Sequence, residues 1–136
     1  MRRAEAIYLG IDHYQKNALG DLKAELGLDG TTILYQSRSS DTTPYKEGQS
    51  RLERAGAMVL NGVLIPFMPS VYQCADIFAT ATQWEGFDLP LLEASYFELP
   101  VVAFEIGAHP EIVQHGRTGY LARSRTELLD QLKKAR

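Results

Sequence analysis

Two glutamates eight positions apart, Glu85 and Glu93, stand in the stretch 83–95, QWEGFDLPLLEAS. Carboxylates in such a setting can accept hydrogen bonds from sugar hydroxyls, or work as acid and base across a glycosidic bond. The second use is the less attractive, because both residues belong to one junction rather than to opposite walls of a cleft. Asp88 is a good N-cap, Pro90 suits a first helical turn, and LLEASYF continues as helix. Just before them, residues 77–81, IFATA, form a short apolar run of strand character. A strand, a loop carrying Gly86 and a capped helix aim free backbone N–H groups and the positive end of a helix dipole at one spot, where a phosphate fits. The carboxylates also have an ordinary explanation: acidic residues near a helix start complement its dipole, and Glu93 could be a solvated helix residue.

A second pair of candidates, Arg38 and Lys46, lies in the polar loop RSSDTTPYKEG after an apolar, β-branched run at 31–37. Two cations there would suit a diphosphate, Arg as a bidentate fork and Lys as a point charge, or they could be solvated surface residues. Residues 107–111, GAHPE, supply a third turn at a strand end. His13, His109 and His115 fall in separate loops without ligand spacing, which argues against a metal site; His109 reads as a spare loop histidine. Trp84 reads as packing. There is no nucleophile elbow and no GxGxxG fingerprint.

The elements that must position these residues follow from periodicity. Residues 6–12 predict a strand or extended segment, 31–37 a strand, and 57–67, AMVLNGVLIPF, one bent strand or two short ones around Asn61-Gly62. A short helix is expected at 70–76, a buried strand at 101–104, a helical turn at 111–116 and an edge strand at 120–122. The last helix opens at Ser124 or Thr126 and buries Leu128, Leu129 and Leu132. Further helices are expected near 17–27 and 47–55. Strands alternating with helices and reading as continuous apolar runs predict an α/β fold: an open parallel Rossmann-like sheet with helices on both faces.

The 136 residues suit a single domain. A hydrophobic fraction of 45%, a charged fraction of 23% and a net charge of −3 fit a globular chain without the basic face a nucleic-acid binder needs. Cys74 is the one cysteine, which excludes an internal disulfide and fits a cytoplasmic setting. No apolar run approaches the roughly 20 residues of a membrane span.

The segments EGFDLPLLEAS and LPVVAFEIGAHPEIVQHGRTGYL closely resemble the C-terminal half of retaining, nucleotide-sugar-dependent glycosyltransferases of family 4 (group 1). The likeness runs from about Tyr72 to the end of the chain. It implies one half of a two-domain GT-B fold and a nucleotide-diphosphate sugar as donor substrate, with no metal or other cofactor. By resemblance, Glu85 contacts hydroxyls of the donor sugar and Glu93 the ribose. The backbone of Gly86, Phe87, Asp88 and Leu89 meets the diphosphate and sugar, and Arg38 and Lys46 clamp the diphosphate. Residues 1–15 resemble the interdomain linker, so activity is expected to need a separate N-terminal acceptor domain, with a cytoplasmic or, in the intact enzyme, membrane-peripheral location; the alternatives are a non-catalytic nucleotide-sugar-binding module or a degenerate structural fragment. Between Lys46 and Val71 the chain is shorter than the family pattern. A strand–helix unit is therefore expected to be missing, leaving an apolar edge that would favour a homodimer.

Overall fold

The computed structural model describes residues 6–9, 32–37, 58–61, 65–83 and 86–135, with side chains over 66–83 and 86–135. The described strands are β1 (Ala6–Leu9), β2 (Thr32–Ser37), β3 (Met58–Asn61), β4 (Ile77–Ala79), β5 (Val101–Phe104) and β6 (Gly119–Ala122). They form one sheet of order β3-β2-β1-β4-β5-β6, and every neighbouring pair is parallel. This is the doubly wound Rossmann order, in which the chain starts in the middle, winds out to one edge and returns to wind out to the other. The order reverses at the boundary between β1 and β4.

Successive strand residues point to opposite faces, and the core divides accordingly. On one face Ile77, Ala79, Val102, Phe104 and Ala122 pack against Leu128 and Leu132 of α4 (Arg125–Ala135). On the other, Phe78, Val101, Ala103 and Leu121 pack against Val71 and Tyr72 of α1 (Met68–Cys74) and Leu91 and Ala94 of α2 (Leu89–Tyr96). Both faces of β4 and β5 are therefore dry, which is why IFA and VVAF show no polar alternation. The α4 cap is Ser124: its hydroxyl accepts from the Glu127 amide at 3.1 Å, while Glu127 accepts from the Arg123 amide at 2.7 Å.

Several expectations need correcting in detail. Among the described residues of the apolar run 57–67, Met58–Asn61 is strand and Ile65–Phe67 is a 3-10 turn leading into α1. Pro66, without an N–H, suits a turn better than a ladder. The shortened middle leaves no strand position empty, since β3 pairs with β2 from Leu34↔Met58 to Ser37↔Asn61 and fills the outer place. The strand expected at residues 6–12 is β1, a central strand paired on both sides, whereas the resemblance assigns that stretch to a linker. The turn expected at 111–116 is α3 (His109–Ile112), two residues earlier, with Pro110 in its first turn. The edge position of β6 is as expected. The helices expected near 17–27 and 47–55 lie outside the described residues.

β6 enters very close to β5. A Cβ on Gly119 would run into the carbonyl oxygen of Val101 and lie 2.9 Å from its nitrogen, at a register pair of the ladder. Gly119→Ala is expected to lower stability by about 1–3 kcal/mol, the usual cost of overpacking. A urea unfolding midpoint equal to that of the unsubstituted chain would contradict this tight approach.

Candidate functional site

In a parallel sheet all strand C-termini lie at one end, and the loops after β4 and β5 meet there, beside the reversal of strand order. The ladder runs one residue past β4, with the Thr80 amide donating to Val102 O at 3.0 Å. The chain then turns, the Thr82 amide donating to the Thr80 hydroxyl at 3.3 Å. Both threonines are buried. The loop continues through Gly86 and Phe87 to Asp88, which caps α2. Its side chain accepts from the Leu91 amide at 3.3 Å, and Pro90 sits in the first turn, both as the sequence predicts.

Asp88 has an unusual conformation for a residue with a side chain, φ 60° and ψ 72°. Left-handed backbone is uncommon outside glycine and persists where surrounding contacts over-determine it. The contacts here come from His109. Its Nε2 lies 3.1 Å from Asp88 Oδ2, its Nδ1 lies 2.7 Å from Phe104 O, and its exposure is 0%. The expectation of a spare loop histidine is thus wrong: His109 is a buried tie between the loop after β4 and the last residue of β5. No local pattern in GAHPE signals this, because the partner is 21 positions away.

The helix start offers fewer donors than a generic N-terminus. Pro90 has no N–H, and the Leu91 and Leu92 amides bond back to Asp88. The amides of Gly86, Phe87, Asp88 and Leu89 donate to no atom among the described residues. They form a short run of free donors at the C-terminal end of the sheet. Gly86 itself meets no steric need of the fold: a Cβ there would have nothing within 4 Å. Phe87 and Leu89 are exposed.

Glu93 lies one turn into α2 and is exposed. One of its oxygens, Oε2, accepts from the Tyr72 hydroxyl at 2.6 Å. Tyr72 is buried and stacks on Phe97 with ring centroids 5.3 Å apart. The carboxylate is therefore held by a rigid donor at one oxygen, which the expectation of a short helix at 70–76 did not anticipate. On the neighbouring loops Arg123 is engaged by Glu105, Nε to Oε2 at 2.6 Å. That hydrogen bond, ahead of charge attraction, holds the Glu105 carboxyl below its usual range. Any stability it contributes is present above the unfolded carboxyl value and lost as pH falls through the lowered folded one. Exposure to solvent keeps that contribution small. His115 Nδ1 accepts from the Leu121 amide at 2.9 Å, so it carries no proton on that nitrogen. No group of side chains that could hold a metal ion occurs among the described residues. Glu85, Trp84, Arg38, Lys46 and His13 lie outside the described residues.

The fold is a Rossmann-like parallel sheet whose strand order reverses between β1 and β4, with the loops after β4 and β5 at its C-terminal end. The profile of the family described as glycosyl transferases group 1 matches residues 36–135, and the chain belongs to that family. Among solved structures, the C-terminal domain of the group 1 glycosyl transferase LpcC from Francisella tularensis superposes with a TM-score of 0.68 at 26% identity. The match covers 95% of this chain and 73% of that one. HepE of Anabaena in complex with UDP gives a TM-score of 0.75 at 21% identity, over 96% of this chain and 38% of that one. A mannosyltransferase of lipopolysaccharide core biosynthesis, LpsB of Rhizobium meliloti, is 43% identical over 49 residues, 36% of this chain and 14% of its own length. The fold is one Rossmann-like half of the GT-B architecture, and the chain spans about one seventh of LpsB. No helix among the described residues is long and apolar enough to cross a membrane.

The Tyr72–Glu93 contact can be tested in the free protein. Tyr72→Phe keeps the ring and its stack but removes the donor, and is expected to cost about 1.5–3 kcal/mol as a hydrogen bond to a charged group, less whatever water restores at the exposed carboxylate. Pairing it with Glu93→Gln in a double-mutant cycle should return a coupling free energy of the same sign. Strict additivity of the two changes would show that the contact is not formed in solution.

Proposed function

We propose that this chain is the donor-binding half of a retaining glycosyltransferase and holds a nucleotide-diphosphate sugar at the C-terminal end of its sheet. The observation that carries the reading is the run of free amides at Gly86–Leu89, placed beside a carboxylate, Glu93, that is already oriented by Tyr72. Amide dipoles at a loop-to-helix junction favour a phosphate. Glu93 keeps its second oxygen, Oε1, for the ribose hydroxyls. Glu85 contacts the hydroxyls of the donor sugar, and Arg38 and Lys46 neutralise the diphosphate. Arg38 directly follows Ser37, the last residue of β2. β2 and β4 are separated by β1 alone, about 10 Å at the usual strand spacing. The C-terminal ends of β2 and β4 thus lie on either side of β1.

In this reading the chemistry is positioning and electrostatic. The leaving diphosphate gains negative charge as the glycosidic bond breaks, and the amides and two cations stabilise it without a metal. The sugar passes to an acceptor hydroxyl with retention of configuration, and the acceptor is held by a second, N-terminal domain. This chain alone binds donor without transferring it. That the solved relative HepE was captured with UDP supports a uridine nucleotide as the first donor to try.

Calorimetric titration with UDP-, GDP- and ADP-sugars tests the reading. One donor is expected to bind with micromolar affinity. Glu93→Ala, or Arg38→Ala together with Lys46→Ala, should weaken it by about 1.5–3 kcal/mol per charge-assisted contact. No heat from any donor, with the chain shown to be folded, would overturn it. Gly86→Ala is the sharper variant, because its stability should stay within about 0.5 kcal/mol. Its donor affinity should fall at least tenfold, since the added methyl occupies the ligand's approach and nothing else.

A further inference from the structure

We propose that His109 is a positioning residue for the Gly86–Leu89 loop: it carries protons on both ring nitrogens and, through Asp88, holds the loop amides in their donor-ready arrangement. The inference rests on the donor-binding reading above and adds a component to it. Two distances support this protonation. A carbonyl oxygen can only accept, so Nδ1, 2.7 Å from Phe104 O, must donate and carries a proton. In a neutral ring Nε2 would then be an acceptor facing a second acceptor, the Asp88 carboxylate at 3.1 Å. Two lone pairs do not attract. With a proton on Nε2 the contact becomes a buried, charge-assisted hydrogen bond between imidazolium and carboxylate, with side-chain exposures of 0% and 6%.

Two consequences follow for the loop. The first is geometric. Asp88 accepts from His109 on Oδ2 and from the Leu91 amide on Oδ1, so both oxygens are committed and the left-handed backbone at φ 60° is held from two sides. His109 is itself anchored to the end of β5, so the loop after β4 takes its position from the neighbouring strand rather than from its own sequence. The second is electrostatic. A carboxylate at the mouth of an anion site would repel a diphosphate, and the imidazolium behind it cancels that charge. The free amides of Gly86–Leu89 then face the ligand without an unopposed anion beside them.

Imidazole nitrogen resonances of the 15N-labelled chain provide the first test, and no ligand is needed. Both His109 nitrogens are expected to show attached protons at neutral pH. In Asp88→Asn, whose amide can donate to Nε2, the ring should keep only the Nδ1 proton. An unprotonated Nε2 in the unsubstituted chain, with the shared proton on Asp88 instead, would overturn the assignment. The second test reads position. His109→Phe should shift the backbone amide resonances of Gly86–Leu89 and weaken the tightest donor of the UDP-, GDP- and ADP-sugar panel at least tenfold. If that variant does not fold, Asp88→Ala carries the same expectation, and Asp88→Asn should bind at least threefold more tightly than Asp88→Ala. Unmoved loop amides, or unchanged donor affinity in His109→Phe, would refute the positioning role. If no donor binds the unsubstituted chain, the donor-binding reading fails while the ring protonation and loop resonances still decide the role of His109 in shaping the loop.

Discussion

A carboxylate taken out of water must be paired, or the fold bears a cost of several kcal/mol. Asp88 is such a carboxylate, and its pairing organises the ligand end of the molecule. One oxygen caps α2 and the other meets His109, which in turn holds the last carbonyl of β5. Two segments remote in sequence are locked at one point: the junction between the loop after β4 and the start of α2, and the turn leading into α3. The left-handed backbone of Asp88 is the local cost of that lock, of order 1–3 kcal/mol. Ordinary right-handed or extended geometry at this residue would redirect the chain between β4 and α2, and with it the amides of Phe87 and Leu89.

The lock can be rigid because the sheet beneath it is. β4 and β5 are covered on both faces, by α4 on one side and by α1 and α2 on the other, so neither strand end can shift without opening a packed layer. Tyr72 links that packing to the surface. Its ring belongs to the core and stacks on Phe97, while its hydroxyl reaches Glu93 on the outside of α2. A side chain on an exposed helix face would normally sample several rotamers. One fixed by a buried phenol loses less freedom on meeting a ligand, which is the physical content of preorganisation.

Much of this was legible in the sequence wherever the signal is local. Asp88 with Pro90 marked the start of α2, VVAF marked a strand buried on both faces, and Ser124 or Thr126 marked the start of α4, of which Ser124 is the cap. Signals that depend on what lies alongside were not legible. His109 looked spare because its partners, Phe104 and Asp88, become neighbours only when β5 lies beside β4. The apolar run 57–67 looked like one bent strand or two short ones because hydrophobicity does not separate a strand from the entry to a helix; the hydrogen-bonding limits of Pro66 favour the turn. The Tyr72 hydroxyl was invisible for the same reason as His109: helical periodicity tells which side of a residue is buried, not what its polar tip finds there.

The free-donor inventory explains why this junction would need help from elsewhere in the sheet. A helix N-terminus ordinarily presents four unbonded amides, but Pro90 removes one, and Leu91 and Leu92 are used within the cap. What remains is Leu89 and the three loop amides before it, which are dipoles and not charges. A diphosphate carries more negative charge than such dipoles can balance, and the nearby Arg123 is already engaged by Glu105. In the proposed donor complex the compensating cations are Arg38 and Lys46, which follow β2 in the sequence. Dividing the work this way separates two tasks. Under that proposal, amides set on a rigid strand end would define where the phosphates sit, and the side-chain cations would supply the charge that holds them there.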